Sequence, residues 1–336
     1  MLKNITVSPA PHISARYSTR SVMLDVIIGL TPAMLAAAYY FRIYAVMLIA
    51  TCILSAAITE WLCNLIRKKP NSLGDLSAVV TGIILALSVP PTLPLWAAVI
   101  GSAFSIAIGK MVFGGLGANI FNPAMAGRAF LTASFGMLMT TWTVPATIDA
   151  QMPTISAESK IHVITQATPL AWSKQAIKQK TGAQTVNQLT ESAWTGEIGG
   201  CLGETSTIAL LLGGLYLFIR KTISPHIPLA ITISALLFAA IAYLINPNAY
   251  ISPITHLFTG GMLLCIFFIA TDPVTAPLSA KGMWIFGAGV GAIIMLIRIV
   301  GEYPEGVMYA VLLMNAVTPL IDRLCKQIPA GGKPNV

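Results

Sequence analysis

Thr81-Gly-Ile-Ile-Leu-Ala-Leu-Ser-Val-Pro-Pro91 and Thr259-Gly-Gly-Met-Leu-Leu-Cys-Ile-Phe-Phe-Ile-Ala-Thr-Asp-Pro273 are two apolar runs that each open on Thr-Gly and close near proline, 178 residues apart. Both are too short or too interrupted for a simple span. A broken helix at bilayer depth is tolerated only where protein or a water-filled cavity satisfies the freed backbone groups. Residues 82–94 and 260–277 are therefore expected to border a central site. The blander explanation is that two apolar helices resemble each other by composition alone.

Similar runs fill most of the chain. They lie at 21–41, 43–66, 76–90, 95–113 and 120–140, and again at 200–220, 226–245, 256–271, 283–300 and 305–322. Five spans per group would make the second copy enter the membrane from the opposite side. The expected fold is an all-α polytopic membrane protein of about ten transmembrane helices, arranged as two inverted five-helix repeats. The segments are a tail (1–20), the first repeat (21–140), a long extracytoplasmic loop (141–199), the second repeat (200–322) and a second tail (323–336).

Composition agrees with this. Of 336 residues, 56% are apolar and 10% charged, against roughly 25% charged in soluble domains, and mean hydropathy is +0.78. A nucleic-acid-binding domain, a secreted disulfide module and a typical cytosolic enzyme are excluded. The net charge of +8 reads as topology, because basic residues mark the inner face. With the N-terminus inside, 14 of the 20 basic residues, Lys110 and Arg128 among them, are expected at that face. Both termini should be cytoplasmic and the 141–199 loop outside. The first apolar run exceeds a signal h-region and lacks a small-residue cleavage site, so it should remain in the chain.

Candidate chemistry is sparse. Cys52, Cys63, Cys201, Cys265 and Cys325 form no CxxC pair, and His12, His162, His226 and His256 have no ligand spacing, so no metal site is assigned. Charge at bilayer depth is costly and usually functional. Asp25, Asp272 and Asp322 are the ion-path candidates, while Glu60 and Glu204 read as helix-end charges. The densest glycine segment runs from Gly109 to Arg128 and includes Asn119 and Asn122. It either holds a planar polar ligand, lines an ion path, or packs helices through small residues.

Gly109 to Leu131, the Ala270-Thr-Asp-Pro-Val-Thr-Ala-Pro277 run, Thr165-Gln-Ala-Thr-Pro-Leu-Ala171 and the five-plus-five plan together resemble the D subunit of the Rnf electron-transport complex. That family is related to the B subunit of the sodium-translocating NADH:quinone reductase. The resemblance implies a subunit of an ion-translocating, ferredoxin- and NAD-linked oxidoreductase in the bacterial inner membrane. It implies FMN carried through a phosphoester on the last threonine of a motif whose matching positions here are Thr165, Ala167 and Thr168. His162 stands where the family has aspartate and Gln166 where it has glycine. The implied partners are flavin and iron–sulfur subunits, with a flavin transferase for maturation. A second, non-covalent flavin, riboflavin, is implied within the membrane part. In this reading Thr168 is an anchor, and no residue acts as catalytic acid or base. A solute channel or carrier with the same repeat is the competing class.

Overall fold

The computed structural model describes residues 18–141, 200–204, 206–247, 250–301, 303 and 305–326, and every regular element among them is helical. The Ser18 side chain accepts the Ser21 N–H and a capping box starts α1 (Thr19–Ile66). Its 48 residues form two spans, because Arg42 leaves helical space at φ 57° and ψ −147°. That break falls between the apolar runs 21–41 and 43–66.

Next come α2 (Ser77–Leu87), α3 (Leu95–Ile106) and α4 (Pro123–Ser134). The other half contains α5 (Thr207–Ile219), α6 (His226–Ile245), α7 (Pro253–Phe258), α8 (Ala280–Ile299) and α9 (Val307–Leu324). Among the described residues four helices are long and apolar enough to cross a membrane: α1, α6, α8 and α9. Shorter apolar helices accompany them, so the chain is a multi-pass membrane protein. Leu35, Leu54, Leu237, Leu244 and Leu313 are exposed, as lipid-facing side chains should be, while 21 polar or charged residues among the described ones are buried.

The two runs that decide the fold are both broken, for different reasons. With 11 residues, α2 rises about 17 Å, roughly half a hydrocarbon core. It stops at Leu87 ahead of Pro90 and Pro91, because a residue before proline is pushed out of the α region. In the second run α7 ends at Phe258, and Thr259 is extended. Gly260 takes φ 68°, a conformation that favours glycine. Helix resumes at Met262 and passes into a π turn over Cys265–Ile269.

Glycines set the close approaches. A Cβ on Gly82 would lie 2.8 Å from the Ile53 Cα, so α2 is pressed onto the second span of α1. Gly287 and Gly291, one turn apart on α8, face Ile227 and Ile231 carbonyls of α6 at 2.8 and 2.6 Å from where their Cβ atoms would be, a small-xxx-small contact. Among the described glycines the tightest approach to backbone joins the first span of α1 to α5, where a Cβ on Gly213 would lie 2.0 Å from the Gly29 carbonyl oxygen. Backbone cannot yield as a side-chain tip can. Gly213→Ala is expected to destabilise by at least the roughly 1–3 kcal/mol typical of overpacking. Gly74→Ala, with nothing within 4 Å, should be neutral. Melting temperatures in detergent check both, and equal values would remove this crossing from the packing argument.

Candidate functional site

Where the broken segments meet, the chain leaves a cavity. Its walls come from both halves: Val26 on α1, Ser77 and Thr81 on α2, Lys110 after α3, Asn119 and Asn122 before α4, Phe268 within the second π turn and Asp272 beyond it. It holds about 690 Å³ of non-protein space counting its open side, of which about 60 Å³ admits water-sized bodies as the side chains stand. A wider groove, about 1330 Å³ counted in the same way with its open side, shares Thr222, Ile223, Thr271 and Pro273 with it.

The glycine segment forms one wall. Gly114, Gly115 and Gly117 adopt φ of 135°, 112° and 91°, which only glycine does without strain. This loop delivers Asn122 to the start of α4, where its Oδ1 accepts the Ala124 and Met125 N–H groups and its Nδ2 donates to the Ile269 carbonyl at 3.2 Å. Asn119 donates to the Phe121 carbonyl at 3.2 Å. It is 5% exposed, and its Oδ1 has no partner. An unpaired buried amide oxygen at a cavity wall is a group that a ligand can satisfy.

Lys110 forms the floor. A π turn over Ala107–Met111 ends the third span, and such turns recur at functional sites. Its Nζ donates to Glu60 Oε2 at 2.6 Å and to Ser77 Oγ at 2.5 Å. Lys110 is 1% exposed and Glu60 0%. This corrects one expectation: Glu60, paired with Lys110, is not a helix-end charge reaching for water. Their pairing offsets a desolvation cost that either would bear alone.

A second charged cluster lies beyond the far end of α2. Arg128 Nη2 donates to Glu305 at 2.6 Å and approaches Cys201 Sγ at 3.5 Å, and Glu305 also accepts the Gly261 N–H. Arg298 donates to the His256 and Thr259 carbonyls at 2.6 and 3.0 Å. Arg128 is therefore also buried and paired. Cys201, Glu204 and Glu305 place one ligand atom each within 4.8 Å of one another. The Arg128 guanidinium bonds to two of them, Glu305 and Cys201.

The sequence candidates separate. Asp25, 3% exposed, accepts from Tyr216, Arg220 and Thr222 at 3.1, 3.3 and 3.0 Å, tying α1 to the end of α5. Asp272 lines the cavity and accepts from the Val274 N–H and the Thr275 hydroxyl. Asp322 accepts the Leu278 N–H at 3.2 Å, away from the cavity. Thr165, Ala167 and Thr168, with His162 and Gln166, lie outside the described residues. Sequence reasoning does not single out Lys110 and Glu305 as functional, since their partners are 50 and 177 positions away.

A sequence profile of the NQR2, RnfD, RnfE family matches residues 6–331. The D subunit of the Na⁺-translocating ferredoxin:NAD⁺ oxidoreductase complex of Acetobacterium woodii is 44% identical, over 96% of this chain and 94% of that one. The D subunit of the proton-translocating ferredoxin:NAD⁺ oxidoreductase complex of Clostridium ljungdahlii is 40% identical, over 98% and 97%. The D subunit of an ion-translocating oxidoreductase complex of Yersinia enterocolitica is 37% identical, over 94% and 95%.

Proposed function

The chain belongs to the NQR2, RnfD, RnfE family, and on that premise we propose that it is the D subunit of an Rnf-type, ion-translocating ferredoxin:NAD⁺ oxidoreductase. The observation that carries this reading is identity of 37–44% along nearly the full length of relatives with that subunit name. It sits in the bacterial inner membrane as two inverted five-helix repeats, with both termini cytoplasmic. The buried bases support the repeat: Lys110 closes on the start of α2 and Arg298 on the break after α7, each from the end of the span that follows. Sodium and proton relatives match at similar identity, so sequence likeness does not choose the cation.

The subunit carries FMN on Thr168, with Thr165 and Ala167 as recognition positions for a flavin transferase. A non-covalent flavin, riboflavin, occupies the cavity between the halves. The flavins supply one-electron chemistry between iron–sulfur and flavin partners, and the protein sets distance, hydrogen bonding and charge. Asn119 supplies an unpaired amide oxygen for an imide N–H, Thr81 a hydroxyl and Lys110 a cation. The enclosed volume is smaller than a tricyclic ring, so Met23, Leu116 and Phe267 have to swing aside on binding. Asp272, at the cavity wall, leads the ion-path candidates, followed by Asp25 and Asp322.

Asn119→Leu tests the cavity assignment, because it removes the unpaired oxygen and only one long internal hydrogen bond. Flavin extracted from denatured complex should fall at least tenfold, while covalently held flavin, seen as fluorescence on a denaturing gel, stays constant. Unchanged extractable flavin would place the second flavin elsewhere.

A further inference from the structure

In the charged cluster beyond the far end of α2, the two carboxylates are unequally supplied with hydrogen bonds. Glu305 is engaged on both oxygens, since its Oε2 accepts from Arg128 at 2.6 Å and its Oε1 accepts the Gly261 N–H. Glu204 sits in a short turn, Leu202–Glu204, anchored on the end of α2 by the Leu202 N–H, which donates to the Val89 carbonyl at 3.2 Å. Its Oε1 is closed off from solvent and has no donor among the described residues. That oxygen lies 3.7 Å from where a Cβ on Gly261 would be, against 2.7 Å for Glu305 Oε1. Two further unpaired atoms stand beside it. Arg298, 3% exposed, interacts electrostatically with both carboxylates and its Nε has no partner. His256, 6% exposed, interacts with Arg298 and its Nδ1 has none. Three of the five buried side-chain polar atoms that lack a partner among the described residues therefore belong to this one cluster. Buried polar atoms are normally paired, so such a concentration points to a binding site.

We propose that Glu204 binds a proton at Oε1, with Glu305 as the fixed carboxylate beside it. On uptake an O–H bond forms there and the carboxylate becomes a neutral acid, which supplies the donor this oxygen lacks. On release that bond breaks, the proton leaves and the negative charge returns. A hard cation fits less well, because it gathers about six oxygen ligands. Here Arg128 already holds Glu305 and Cys201, and Arg298 holds the His256 and Thr259 carbonyls. The fixed charges of Arg128 and Arg298 also cancel those of Glu204 and Glu305, so no surplus of negative charge draws in a metal ion. A proton needs only one oxygen.

The charged and titratable groups around Glu204 are Arg128 on α4, Arg298 on α8, Glu305 ahead of α9, Cys201 in its own turn, and, beyond Arg298, His256 on α7 and Cys265 in the second π turn. Glu204 is half-buried as a residue, so it touches both the interior and the surface. The cluster lies where α2 stops at Leu87 and α7 at Phe258, apart from Asp272. Uptake and release there make a second station for ion movement. That role rests on the reading of the chain as a subunit of an ion-translocating complex, whereas proton binding does not.

Labelling of the wild-type complex with dicyclohexylcarbodiimide, which couples to carboxylic acids in apolar surroundings, tests the binding. Fragmentation of the tryptic peptide 181–220 separates Glu204 from Glu191 and Glu197. The label at Glu204 should fall at least tenfold from mildly acidic to alkaline buffer and stay constant when NaCl replaces KCl. No label at Glu204 at any pH would overturn the proposal, and so would protection by Na⁺, which marks an alkali-cation site. Transport by the complex in liposomes tests the role. Glu204→Gln cannot take up or release a proton at this position and should lower ferredoxin-driven ion transport at least tenfold, while Glu204→Asp, which keeps a carboxyl, should restore part of it. Full transport in Glu204→Gln would overturn the station. A wild-type complex that moves no ion would overturn the functional reading and leave the labelling result standing.

Discussion

Thr168→Val is expected to give a full-length, membrane-inserted chain with no covalently attached flavin. A phosphoester to a side chain needs a hydroxyl, and valine keeps the size and branching of threonine without the oxygen. A threonine that a transferase reaches has to be accessible, and substitutions at accessible positions usually change stability by no more than about 0.5 kcal/mol. The loss should therefore be chemical, with expression, insertion and extractable flavin preserved. Thr168→Ser retains the nucleophile and should keep part of the label. Mass spectrometry of the tryptic peptide between Lys160 and Lys174, from protein coexpressed with a flavin transferase, reads the added FMN directly. An adduct persisting in Thr168→Val would move the anchor to another hydroxyl. Absence from the wild type would sink covalent attachment, and His162 and Gln166, the two departures from the family motif, would be the first positions to revert.

The parts of the fold legible in the sequence are those that composition and local punctuation encode. The 226–245 run coincides with α6, and Pro90-Pro91 mark where α2 cannot continue. The glycine segment is legible as a choice between ligand, ion path and packing, and in the structure it lines a cavity and packs closely. Its positive-φ glycines shape a cavity wall, while a Cβ on Gly109 would lie 3.1 Å from the Pro123 Cα. Charge pairing is not legible. Glu60 resembles a helix-end acid, and Lys110 resembles a topology marker, because a single sequence contains no term for the 50 residues that fold away between them. The same holds for Arg128, which counts toward the inner face by sequence and is bonded to Glu305 in the fold. Positive-inside counting reads basic residues near span ends as marks of the inner face, and it does not register that Lys110 and Arg128 are buried partners of acids.

That last pair carries the largest expected effect on stability. Arg128 on α4 and Glu305 ahead of α9 are 9% and 13% exposed, and they join the two halves of the chain across 177 positions. Arg128→Leu leaves a carboxylate buried with only the Gly261 N–H and its neighbouring charges for company. Breaking such a pair from one side costs about 3–5 kcal/mol. Glu305→Leu strands Arg128 in the same way. The double variant Arg128→Leu/Glu305→Leu removes one charge of each sign and leaves Arg298 to balance Glu204. Its residual cost is the lost acceptor of Gly261, about 1–3 kcal/mol for an unsatisfied buried donor. The double variant should therefore melt above both single variants in detergent, with a coupling energy of at least about 2 kcal/mol in a double-mutant cycle. Additive losses would mean that the two residues contribute through separate neighbours, Cys201 for Arg128 and Gly261 for Glu305, and that the halves are held by packing at Gly29 and Gly213 and by the bonds of Asp25 and Asn122.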